Sequence, residues 1–248
     1  MLILLPPSEG KTGRRRGAPV THGSLSFQTL TEHRSAVARA VAEVSAGPDA
    51  AEVLGVSPNL TDEIARNTAL STAPSLPASE CYSGVLYDAL GYAALSPLAR
   101  RRANRWLVVV SALYGAVRPT DRIAPYRLSM AVNLPGIGPL ASAWKPHLEP
   151  VLTEAAGRGL VVDCRSSTYA AAWTPTGAVA DRWVHVHVPG ATHMAKHTRG
   201  LVAGAICGLE KEPRTPSALA GALADDFDIA LAPPPRTGRP WQLSVTLR

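Results

Sequence analysis

Apolar positions fall into short continuous runs and helical stripes along this chain. Met1 to Leu5 is an apolar run stopped by Pro6-Pro7, which reads as a short buried strand ended by residues that cannot extend a ladder. Residues 27 to 46 place Leu30, Val37, Val41 and Val44 on one stripe of an amphipathic helix, ended by Gly47-Pro48. Thr61-x-x-Ile64 opens a second, short helix with Asp62 and Glu63 in its first turn. A loop with Pro74 and Pro77 leads to Cys81 through Tyr87, and helical segments fill 84 to 102. Trp106 to Ser111 is continuously apolar and reads as a central strand. Residues 139 to 156 form a helix, Leu160 to Asp163 a strand that stops at an acid, and 182 to 188 alternates like a strand. Helices at 192 to 208 and 215 to 226 and a closing strand at 241 to 247 complete the order. The expectation is an α/β fold, a mixed sheet flanked by helices in a single domain over 1–248, without internal repeat or clear linker.

Residues 111 to 130 break the pattern. They pack two tyrosines, three arginines, one aspartate and two prolines into a stretch with no clean period, just past the central strand. Open α/β sheets place ligands there.

Composition sets limits on what the site meets. The 248 residues carry 46% hydrophobic side chains, enough for a core, and a net charge of +6. A pI near 9.5 favours anionic partners. No apolar stretch reaches the roughly 18 residues of a membrane helix, and the N-terminal run is too short for a signal sequence, so a cytoplasmic protein is expected. Cys81, Cys164 and Cys207 are odd in number and widely spaced, which fits reduced thiols rather than disulfides or a zinc site. Basic residues gather in the loop 10–23, which carries Arg14, Arg15 and Arg16, while 232–240 is proline-rich.

Several motifs compete for the chemistry. Ser8-Glu9-Gly10-Lys11-Thr12 after a strand echoes the end of a phosphate-binding loop, with Asp163 in the place of the magnesium-holding acid. Its first glycine is missing, since position 5 is leucine, and no receiving helix is evident after Thr12. Ser8-x-x-Lys11 and Lys11-Thr-Gly13 echo serine acyl-enzyme motifs, but a single shared lysine does not fit their geometry. His185 and His187 on a strand, with His193 and His197 four apart on a helix, could gather as metal ligands or stand as unrelated solvated groups. No resident metal or cofactor is expected, because no carboxylate or cysteine lies close to them in sequence. Leu134-Pro-Gly136-Ile137-Gly138 before a helix reads equally as an ordinary turn and cap or as the hairpin of a helix-hairpin-helix-like element near 134–156, whose glycines would admit a DNA phosphate.

Lys11 beyond an N-terminal strand and Pro-Pro-Ser, Tyr82-x-Gly84-x-x-Tyr87, the block Leu113-Tyr114-Gly115-x-x-Arg118-Pro119-x-Asp121-x-Ile123-x-Pro125-Tyr126-Arg127-Leu128-x-Met130, Trp144 and Lys196-x-x-Arg199-Gly200 together resemble the YaaA family of peroxide-stress proteins. The match spans residues 1 to about 209. The resemblance implies a compact α/β domain, binding of double-stranded DNA, and protection from peroxide linked to restraint of free intracellular iron. The run Arg14 to Arg16, the histidines at 185 to 197 and Pro233-Pro234-Pro235 depart from that pattern.

The matched residues suggest an anion-binding cleft built from Lys11, Arg118, Arg127, Lys196 and Arg199. Converging cations call for an anion, arginine as a fork and lysine as a point charge. Tyr82, Tyr87, Tyr114, Tyr126 and Tyr169 would add hydroxyls or stacking faces. Asp121 or Asp163 would orient an arginine or act as a base. Taken singly, Arg118 with Asp121 and Arg122 could be a turn held by ion pairs, Tyr114 a packing residue, Trp144 and Met130 core, and Lys196 with Arg199 a solvated face. Two functions follow. In one, the basic face binds DNA backbone and protects it under oxidative stress. In the other, an enzyme takes a small phosphate- or carboxylate-bearing substrate, such as a nucleotide, with Lys11, Lys196 and Asp163 as catalytic groups. Nothing resembles a peroxidatic cysteine.

Overall fold

The computed structural model describes residues 1–190 and 194–248. Its centre is β1 (Leu2–Leu5), whose four side chains are all buried. Continuous apolar strands are buried on both faces, and parallel sheets need helices on both sides to achieve this. β1 pairs in parallel with β2 (Leu107–Ser111) on one side and with β4 (Val161–Asp163) on the other. β5 (Trp183–His187) extends the sheet in parallel beyond β4. The far edge is an antiparallel hairpin of β6 (Phe227–Ala232) and β7 (Trp241–Leu247), with β7 parallel to β5. At the other edge β3 (Gly115–Val117) folds back antiparallel on β2. The order is therefore β6-β7-β5-β4-β1-β2-β3, a mixed seven-stranded sheet. The proline-rich segment is the loop of the β6–β7 hairpin.

Seven helices of six or more residues flank it among the described residues: α1 (Thr31–Ala46), α2 (Thr61–Thr68), α3 (Val85–Leu90), α4 (Pro97–Trp106), α5 (Leu140–Ala156), α6 (Met194–Gly208) and α7 (Pro216–Leu223). One buried cluster runs from Leu2 to Val245 through all of these layers. No helix among the described residues is long and apolar enough to cross a membrane.

Most differences from the sequence expectations have local causes. The helical stretch at 84 to 102 divides because Gly91 adopts φ 61°, a left-handed cap, and Ser96 then caps α4 through a hydrogen bond from the Ala99 amide. Trp106 closes α4 rather than opening the central strand. Short pairs at 133–134 and 138–139 form the expected hairpin before α5, yet residues 124–132 ahead of it carry no helix. The segment is a hairpin with one helix after it, so the helix-hairpin-helix element is not formed. Glu43 and Asp49 lie beside Pro135 and Gly136 in one surface depression, a poor setting for a DNA phosphate.

Two glycines set how closely α6 packs. A Cβ on Gly204 would sit 2.9 Å from the carbonyl oxygen of Leu90, and one on Gly200 would collide with that of Leu86. Only glycine lets α6 lie this close to α3, and α6 carries Lys196 and Arg199.

Candidate functional site

The chain leaves β1 toward β2 and later returns on the other side of β1 as β4, so a crevice opens past the C-terminal ends of β1 and β4. A cleft of about 440 Å³ occupies this place. Pro6 to Lys11 line it after β1; Cys164, Ser166 and Tyr169 line it after β4. Arg127 enters on a loop, and Lys196 and Arg199 enter from α6.

Lys11 is held on the cleft wall by its backbone and its amine together. Its strand-like bridge to Tyr82 and the bond from the Thr12 amide to the Cys81 carbonyl (2.8 Å) fix the main chain. Nζ donates to the carbonyls of Ser8 (2.7 Å) and Glu9 (3.4 Å) and lies 4.1 Å from the ring centre of Tyr126. The residue is only 9% exposed, and no carboxylate pairs with it among the described residues. Burial brings its pKa down to about 7; Arg127 and Arg66 push the same way, against Cys81 and Glu9.

Arg127 depends on a residue that no motif or pattern singled out. Asn67, fully buried on α2, accepts from the Arg127 amide through Oδ1 and donates to the Arg127 carbonyl through Nδ2, both at 2.8 Å. Lys196 pairs with Glu9 at 3.4 Å, and both side chains are well exposed. Arg199 donates from Nε to the carbonyl of Val186 at 3.1 Å, which ties α6 to β5. Among the described residues lining the cleft, four cations face one carboxylate, Glu9.

Four of the five expected cations therefore meet, and Arg118 does not. The β2–β3 hairpin pairs Val117 with Val109, which carries Arg118 back toward the start of β2. There its guanidinium bonds the Arg105 carbonyl and lies 5.1 Å from the ring of Phe27. Tyr114 is likewise outside the cleft, its hydroxyl bracketed by the amide and carbonyl of Ala124 (3.1 and 3.2 Å). Tyr87 and Tyr169 line the cleft, with the Tyr87 hydroxyl given to the Pro6 carbonyl at 2.7 Å. Tyr82 and Tyr126 lie beneath Lys11, in a chain that runs Tyr82–Tyr126–Ser111 with oxygens 3.2 and 2.7 Å apart. Burial raises the pKa of all four of these tyrosines, Tyr82, Tyr87, Tyr126 and Tyr169, so they stay neutral.

Asp163 is not placed to act as a base. It is fully buried, its Oδ1 accepts from the Arg165 amide (3.0 Å) and Nε (2.8 Å), and its Oδ2 accepts from Arg165 Nη2 (2.7 Å) and Trp183 Nε1 (3.1 Å). Burial alone would raise its pKa, but the Arg165 guanidinium outweighs this and holds the carboxyl below its usual value. Asp121 is also a clamp: its carboxylate accepts from the amide and hydroxyl of Ser26 and from the amide of Arg118. Buried Arg34, also absent from the sequence expectation, gathers the carbonyls of Ser26, Tyr114 and Ala116. The sequence signal for Arg165 was present, two residues after the acid that ends a strand.

His185 and His187 lie on β5 and His197 on α6, while His193 lies outside the described residues. Among the described residues, no three His, Cys, Asp or Glu side chains form a group able to hold a metal ion. The phosphate-loop echo has no receiving helix, because residues 12–21 carry no regular structure.

With this geometry in view, the family profile described as peroxide stress protein YaaA matches residues 1–231. This chain belongs to the YaaA family. A UPF0246 protein of Streptomyces coelicolor is similar at 48% identity, over 99% of this chain and 98% of the relative. UPF0246 proteins of Corynebacterium efficiens and Corynebacterium glutamicum are similar at 41% and 37%, covering 91% and 87% of this chain and 91% and 88% of their own. The S. coelicolor alignment covers nearly the whole of this YaaA family chain, whereas the profile ends within β6 and leaves β7 beyond it.

Proposed function

We propose that this YaaA family protein binds and acts on a small phosphate- or carboxylate-bearing molecule in the cleft, in the setting of peroxide stress that the family description carries. One observation carries the reading: four cations line a recess of about 440 Å³ against a single exposed carboxylate. A recess of this size suits a metabolite or nucleotide, which arginine grips as a fork and lysine as a point charge. A duplex calls for basic groups spread along an outer face. Thermal shift with inorganic phosphate and a panel of nucleotides and anionic metabolites tests it. The expected result is a stabilising ligand whose effect disappears in Arg127→Ala, a variant whose backbone keeps its Asn67 clamp. A panel with no stabiliser rejects the reading.

Double-stranded DNA, bound for protection against oxidative damage and for restraint of free iron, is the second reading. Its support is a different feature, the exposed run Arg14, Arg15 and Arg16 on a loop outside the cleft.

A further inference from the structure

We propose that Lys11 is an amine nucleophile that forms an imine with the carbonyl group of an anionic aldehyde or ketone seated among Arg127, Lys196 and Arg199. This rests on reading the cleft as a small-anion site and names the reacting class that such a site would take.

The cleft offers few other nucleophiles. The thiols of Cys164, on its wall, and Cys81, behind Lys11, are buried, which pushes each up to about 12 and leaves them protonated. The Ser8 hydroxyl donates to the Gly10 carbonyl and accepts from the Ser83 amide. The Tyr87 hydroxyl is given to Pro6, and Asp163 is closed off by Arg165 and Trp183. No described histidine lines the cleft. Lys196 is exposed and paired with Glu9.

Lys11 differs from all of these. A neutral amine has two N–H donors and one lone pair, and its two contacts, the Ser8 and Glu9 carbonyls, are both acceptors. The lone pair is left without a donor. The ring of Tyr126 fixes the nitrogen from one side, and the groups that act on its charge are Cys81, Arg127, Glu9 and Arg66. Burial among cations makes the neutral form accessible at physiological pH, the condition for a Schiff-base lysine.

The step balances without an oxidant or reductant. The nitrogen lone pair forms a bond to the carbonyl carbon while the C=O π pair moves to oxygen. Both amine protons pass to that oxygen, which departs as water, and the imine then takes a proton from solvent. The cations hold the substrate's phosphate or carboxylate, so the carbonyl is presented to one amine out of four lysines and the N-terminus.

The test uses pyridoxal 5′-phosphate purely as a probe, because it joins an aldehyde to a phosphate. Full-length protein is treated with the probe, reduced with borohydride, digested and mapped by mass spectrometry, with thermal shift by inorganic phosphate measured in parallel. The expected result is label concentrated on Lys11, a labelling rate with a midpoint near pH 7, suppression by phosphate, and loss in Lys11→Met. Mapping on the unaltered chain reads the site even if that variant folds poorly. Label on Lys145, Lys196, Lys211 or Met1 in preference to Lys11 overturns the proposal. Phosphate stabilisation without Lys11 label overturns the imine chemistry and leaves the small-anion reading standing. Absence of both rejects that reading as well.

Discussion

The side-chain amide of Asn67 holds the backbone of Arg127 from both sides, accepting from its N–H and donating to its carbonyl at 2.8 Å each. The same Nδ2 also donates to Ser45 Oγ at 3.0 Å, so one buried amide joins α2, α1 and the loop that aims Arg127 into the cleft. Replacing it with leucine leaves the Arg127 N–H and carbonyl without these partners. Each lost buried bond costs about 1–3 kcal/mol, so Asn67→Leu is expected to lose about 2–4 kcal/mol in urea unfolding. It also releases Arg127, and a phosphate titration followed by thermal shift is expected to weaken about tenfold. Retained affinity in a destabilised variant shows that the clamp does not position the guanidinium.

The buried pair of Asp163 and Arg165 makes a second prediction. Asp163→Asn leaves the Arg165 guanidinium buried without its counter-charge, and breaking such pairs costs about 3–5 kcal/mol. The pH dependence follows in sign. The folded carboxyl titrates below its unfolded value near 3.8, so its stabilisation is complete above that value and is lost as pH falls through the lower folded one. Acid unfolding below about pH 4 is therefore expected to be steeper in the unaltered chain than in Asp163→Asn, read by circular dichroism.

Lys11 acts in the opposite direction on stability. Its folded value is about 7 against 10.5 unfolded, so between these pH values the unfolded chain binds more protons and folding strengthens as pH rises. Below pH 7 the whole penalty of burying the ammonium is present. Lys11→Met is expected to raise stability by roughly 5 kcal/mol at pH 6 and by little at pH 10, since each unit of displaced pKa is worth about 1.4 kcal/mol. Burial lowers His22, His33 and His185 too, but those terms are common to both proteins and cancel in the difference. An equal gain at both pH values contradicts the depressed lysine.

These residues also mark what the sequence made legible. β1, β4, β5 and β7 are readable because a strand buried between neighbours must be apolar or alternate, and that requirement is written at single positions. β6 escaped notice because it is a half-exposed edge with Asp228 among alanines, where burial imposes little pattern. Lys11, Arg127, Lys196 and Arg199 were found as a group through the family blocks that carry them. Arg118 shares a block with Arg127, yet the hairpin at Gly115, with φ 70° and its α-carbon packed against the Trp144 ring, turns it away from the cleft. Asn67 had no signal at all. A polar residue on a short helix looks solvated until the tertiary structure buries it.

Helix α6 supplies two cleft cations, and its distance from α3 is set by glycine. Gly204→Val places its Cβ within 2.9 Å of a backbone oxygen that cannot rotate away, so the helix must shift. Overpacking of this kind costs about 1–3 kcal/mol. Because Lys196 and Arg199 ride on the same helix, the variant is expected to lose phosphate affinity as well as stability. A loss of stability with unchanged affinity separates the helix contact from the site.

The small-molecule and DNA readings part at two sets of arginines. Cleft cations act at short range on one ligand, whereas a duplex is held by counterion release, with log affinity falling by about 0.9 per phosphate contact for each tenfold rise in salt. Arg14, Arg15 and Arg16 are exposed on the loop outside the cleft, and Arg14 pairs with exposed Glu80. Replacing all three with serine is expected to leave phosphate stabilisation within a factor of two, because none of them lines the cleft. Arg127→Ala with Arg199→Ala is expected to abolish it. Duplex binding measured over a salt series supplies the contrast. A steep slope that flattens by about three in the serine variant supports the outer loop as a DNA contact, and flattening only in the cleft variant transfers the DNA to the recess and overturns the small-molecule reading.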